Sequence, residues 1–100
     1  MTMPPRLLSL IQDLRLLAPH LSLDMRLLPS GVVFLNVHPG SRELVLEYSP
    51  GRGFGISELN DQTTPFDVGH EHVFDDAEPA AKCLLTLVSE ALASPHSHAA

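Results

Sequence analysis

The sequence predicts an α+β domain, a four-stranded antiparallel meander with a helix at each end in the order α-β-β-β-β-α. Three observations carry this. Apolar residues recur every three or four positions near both ends, and every second position in between. Three turns containing Pro and Gly separate the β-patterned runs, and turn chemistry that agrees with period is a stronger signal than either alone.

The first helix rests on Leu7, Leu10, Ile11, Leu14, Leu17 and Ala18, which make one apolar stripe at helical spacing. Thr2, Pro4 and Pro5 stand at its start, where Pro costs little, and Pro19 ends it. Leu8 and Leu16 lie off the stripe, so burial of more than one side is expected.

From Leu21 the period becomes two: Leu21, Leu23, Met25 and Leu27 alternate with Ser22, Asp24 and Arg26, the pattern of a strand with one dry and one wet face. Pro29-Ser30-Gly31 turns the chain. Val32 to Val37 is apolar on both faces apart from Asn36, which predicts a central strand covered on two sides.

His38-Pro39-Gly40-Ser41 puts Pro and Gly at the two middle positions expected of a type II turn. Leu44, Leu46 and Tyr48 then define a third strand, which ends at a second such turn, Ser49-Pro50-Gly51-Arg52. The fourth strand, Gly53 to Ser57, carries Phe54 and Ile56 on one face and two glycines on the other. A bare glycine face invites close approach by another backbone.

Leu59 to Asp67 lacks any period and reads as a loop, while residues 70–74 read as a short edge strand or an extended lead-in. Asp75 or Asp76 caps a helix that opens with Glu78 and Pro79 and runs to Leu92. Residues 1–93 are expected to form one domain, with 94–100 a frayed tail.

Composition limits the function classes. At 100 residues and 44% hydrophobic, the chain has enough apolar material for one core and is not a disordered segment. Twelve acidic against six basic residues give a formal charge of −6, which argues against nucleic acid and anionic lipid as partners. Gln12, Asp13 and Arg15 interrupt the leucine-rich start, unlike a secretory signal, and no run is long enough to span a membrane. The one cysteine, Cys83, has no partner for an internal disulfide, so a cytoplasmic location is expected.

Candidate chemistry is sparse. Gly51-Arg52-Gly53-Phe54-Gly55 has the glycines of a phosphate loop, but a strand follows where a helix N-terminus is needed. His70-Glu71-His72 sets two imidazoles on one face of an extended segment about 7 Å apart, two ligands short of a zinc site. The tail histidines, His96 and His98, are flanked by Ser, Pro and Ala and are expected to be solvated in the frayed tail. Cys83 lies mid-helix between apolar neighbours, a poor setting for a reactive thiolate. Ser41, Ser49 and Ser57 sit in no nucleophile motif, and Asp75-Asp76 is explained as a cap.

The last helix has more apolar surface than one core stripe requires. Beside Ala77, Ala81, Leu84, Leu85, Val88, Ala91 and Leu92 runs a second strip of Ala80, Cys83 and Leu87, the candidate surface for a protein partner or a second copy of the chain unless the first helix covers it. The expected function is therefore a small acidic non-enzymatic interaction or regulatory module, with no catalytic residue and no cofactor. The alternative is a small-ligand or metal-binding domain, with the ligand between the glycine-rich strand and His70-Glu71-His72.

Overall fold

The computed structural model describes residues 4–40, 42–59 and 72–93, with Leu59 as backbone only. The elements are α1 (Pro5–Leu17), β1 (Ser22–Leu27), β2 (Val33–His38), β3 (Glu43–Ser49), β4 (Gly53–Leu59), β5 (His72–Phe74) and α2 (Ala77–Ala93). Among the described residues the strands form a single antiparallel sheet in the order β1-β2-β3-β4-β5. The predicted meander is present; β4 runs beyond the expected Ser57, so that Leu59 belongs to the strand and not to the loop, and of the edge strand expected at 70–74 the described part is His72–Phe74. The loop beyond Leu59, His70, Glu71 and the tail lie outside the described residues.

Both helices cover one sheet face. On that face β2 presents Val33, Leu35 and Val37, β3 presents Leu44 and Leu46, and β4 presents Phe54 and Ile56, all buried. They join Leu7, Leu10 and Leu14 of α1 and Ala80, Ala81, Leu84 and Val88 of α2 in one cluster. α2 lies over β3, β4 and β5, and α1 packs beside α2. Tyr48 and Phe54, directly opposed across β3 and β4, bring their ring centroids to 4.8 Å.

The expectation of two-sided packing is corrected for α1, which buries one side only, because Leu8 and Leu16 are exposed, the latter at 82%. On the face opposite the helices Phe34 and Asn36 of β2 are half-buried, and Val45 and Ser57, which continue the row of Asn36 on β3 and β4, are buried, although no described helix lies on that side. Phe34 is flanked by Arg26 and Glu47, whose aliphatic stems can shield a ring without a second layer.

Turn geometry follows the glycines. Arg52 N–H donates to Ser49 O at 2.9 Å and Gly51 has φ +83°, as the Pro-Gly pairing demands. Gly31, at φ +94°, closes the three-residue loop between β1 and β2. The second turn sits one residue later than predicted. Arg42 N–H donates to Pro39 O at 3.3 Å, so Gly40 at φ +69° takes the second turn position and Pro39 the first. A positive φ there belongs to the primed turns, whose twist matches that of a hairpin.

Two polar clusters tie elements together. Arg6 at the start of α1 donates from Nε to Glu78 of α2 at 2.9 Å and from Nη1 to Asp13 at 3.0 Å, which raises its pKa. Arg42 grips Glu58 with two bonds, the Nε bond at 2.7 Å, and fastens the β2–β3 connection to β4. Hydrogen bonding from Arg42, with its charge in support and burial opposing, holds the Glu58 carboxyl below the usual range.

Gly53 answers the expectation of a close backbone approach. It has φ +99°, and a Cβ there would overlap the carbonyl oxygen of Phe74 in β5. Gly53→Ala is expected to destabilise the fold by about 1–3 kcal/mol, measured by urea denaturation, since both the conformation and the space exclude a methyl group. An unchanged midpoint would contradict it. For Glu58, a folded-state pKa below the unfolded one gives stability that is present at neutral pH and lost as pH falls through the acid range. Glu58→Gln is expected to cost about 0.5 kcal/mol at pH 7, the pair being a third exposed, and the difference from wild type should close in acid.

Candidate interaction surface

β1 is the edge of the sheet, and the hydrogen-bond pattern fixes which of its groups face outward. Leu28 N–H donates to Val32 O at 2.9 Å, closing the β1–β2 loop as a hydrogen-bonded pair. Such pairs alternate along an antiparallel ladder, so Arg26, Asp24 and Ser22 also face β2, opposite Phe34, Asn36 and His38. Leu23, Met25 and Leu27 therefore turn their N–H and C=O groups away from the sheet, and no strand lies beyond them among the described residues.

The side chains of these three positions lie on the helix-covered face, but the cover runs out along the strand. Leu23 is half-buried against the core, Met25 is 39% exposed and Leu27 is 53% exposed. Alternation predicted a dry face for β1, whereas the structure leaves its second half wet. On the other face stand Asp24 and Arg26, which form no ion pair among the described residues.

The predicted strip on α2 is divided. Ala80 is completely enclosed by the chain, and Cys83 and Leu87 are half-buried against the same core. What remains for another molecule there is the outer part of Cys83 and Leu87. Burial, with Glu90 adding to it, pushes the Cys83 thiol above its ordinary pKa.

The glycine face and His72 do not converge. Gly55 pairs with Val73 and Ile56 with His72, so His72 faces the helices while Gly53 and Gly55 face the other way. His70 and Glu71 lie outside the described residues. Among the described residues no three His, Cys, Asp or Glu side chains are grouped to hold a metal ion. The glycine face does carry an open depression of about 200 Å³ between Glu47, Arg52 and Val73. That is smaller than the roughly 300 Å³ at which ligand pockets begin.

Comparison with models of protein families, with curated proteins and with solved structures finds no match to this chain. No described helix is long and apolar enough to cross a membrane.

The β1 edge was missed by the sequence reading because alternation shows which side chains share a face, not whether a helix reaches them. A signal was present all the same. Leu23-Asp24-Met25-Arg26-Leu27 is symmetric about Met25 in apolar character and antisymmetric in charge. The half-burial of Cys83 and its raised thiol pKa give a testable consequence: at neutral pH a thiol reagent should modify the folded chain more slowly than the urea-unfolded chain. Equal rates would show Cys83 open to solvent.

Proposed function

We propose that this chain is a non-enzymatic protein-interaction module, and that it engages its partner through the free edge of β1. The observation that carries this reading is the coincidence, on Leu23, Met25 and Leu27, of outward-facing backbone groups with apolar side chains that become more exposed along the strand. An added strand can satisfy the first and cover the second, which is how sheets recognise extended peptides and other sheet edges.

The net charge of −6 favours a protein over a nucleic acid as that partner. A non-enzymatic role is supported by the state of the candidate nucleophile, since a thiol whose pKa is raised is the opposite of an activated one. A reducing compartment such as the cytoplasm suits a lone, half-buried cysteine.

Met25→Pro tests the proposal directly. Proline at this position removes an N–H that points away from β2, so the internal ladder keeps its bonds while the edge loses a donor and gains an obstructing ring. With the fold verified by circular dichroism, the proteins retained by the tagged wild-type chain, further copies of itself included, are expected to be lost from the variant. Identical retention by both would overturn the edge as the binding surface.

A further inference from the structure

We infer that the partner at the β1 edge is a second copy of the same chain, paired antiparallel about a two-fold axis that passes through Met25. The inference rests on the edge reading above and adds the identity of the occupant. Its basis is that β1 is complementary to itself in hydrogen bonding, in apolar character and in charge, and in one register only.

Hydrogen bonding limits the registers first. The outward groups belong to odd-numbered positions, so odd residues must face odd residues across the junction. With the axis at Met25, Met25 faces Met25 of the second copy and Leu23 faces Leu27 of the second copy. About six backbone hydrogen bonds then bridge the two strands.

The side chains select this register from those the backbone permits. On the helix-covered face every pair is apolar, and the exposed sides of Met25 and Leu27 become covered. On the open face Asp24 stands opposite Arg26 of the second copy, and Arg26 opposite Asp24 of the second copy, at non-hydrogen-bonded positions where side chains come closest. Moving the axis one residue toward the N-terminus sets Asp24 against Asp24, and one residue the other way sets Arg26 against Arg26. Both alternatives place like charges in contact. Larger shifts give up paired length on a six-residue strand.

The axis is perpendicular to the sheet, so the helices of both copies lie on the same side and the two sheets join into one. A C2 arrangement of this kind closes on itself: each copy uses the edge it offers, and no free β1 edge remains to propagate a fibre.

Sedimentation velocity over micromolar to millimolar concentrations tests this on the full chain. Wild type is expected to associate to a dimer. Asp24→Arg and Arg26→Asp, each of which turns both attractive pairs repulsive, should raise the dimer dissociation constant by about tenfold or more. The combined Asp24→Arg/Arg26→Asp chain restores opposite charges in both pairs and should return to nearly wild-type association, which a merely structural effect of either substitution would not produce. A wild-type monomer throughout, or a combined variant no tighter than the single ones, would overturn the dimer. A monomer that still loses retained proteins on Met25→Pro would leave the edge as a binding site for a different protein, whereas unchanged retention would remove the edge reading itself.

Discussion

Leu35, Leu46 and Ile56 stand side by side on three neighbouring strands, fully enclosed in the one cluster that the sheet forms with α1 and α2. The registers of the hairpins bring them into line, and a slip of one residue in any hairpin would turn its outer strand's apolar row away from the helices. Hydrophobic burial on this one face is therefore the constraint on which the remaining structure depends. It fixes where both helices lie, because Leu7, Leu10 and Leu14 of α1 and the alanines of α2 have no other apolar surface of comparable extent to join. It also consigns Asp24, Arg26, Asn36, Glu47 and Ser57 to the opposite face.

The cover that two helices give has a limited reach. α2 follows directly from β5 after Asp75 and Asp76 and lies over β3 to β5; α1 packs beside it, and its C-terminal end feeds β1 through four residues. The part of β1 near that connection, at Leu21 and Leu23, is consequently covered, while Met25 and Leu27, farther along, are not. The exposed half of β1 is thus a geometric result of how two helices sit on five strands. Among the described strand residues, Val73 of β5 is the one other exposed large apolar side chain.

Much of this was legible in the chain, and the reasons for the remainder are physical. Period and turn residues located every strand, because alternation and the positive φ of Gly31 and Gly51 are local properties. The position of Gly40 in its turn was not local in this sense. It is set by the pairing of β2 with β3, and the stronger stereotype of Pro before Gly pointed one residue too early. The apolarity of Val32 to Val37 suggested two covers; the helices supply one, and on the other face Val45 and Ser57 are buried while Phe34 is half-buried between Arg26 and Glu47, which only cross-strand register reveals. Ala80, Cys83 and Leu87 were recognised as surplus to one stripe. The sequence could not decide how far α1 would cover them. His72 was paired with Gly53 and Gly55 as a possible ligand site, and pairing parity places its side chain on the face opposite the glycines.

The two edges of the sheet are treated differently. β5 has three residues, too short to template a long strand, and its outward-facing bulk is the single exposed Val73. β1 has six residues, contains neither Pro nor Lys, and shows no bulge in its pairing with β2. Its charges are the only device of the protective kind, and they are one acid and one base separated by a single residue. Two like charges there would repel a second copy in each of the three registers centred on Asp24, Met25 and Arg26. Opposite charges flanking Met25 repel it in the two registers centred on themselves and attract it in the register between. An edge arranged in this way does not exclude association; it specifies one geometry for it, and the same alternation that hides Leu35 in the core sets the opposite charges face to face.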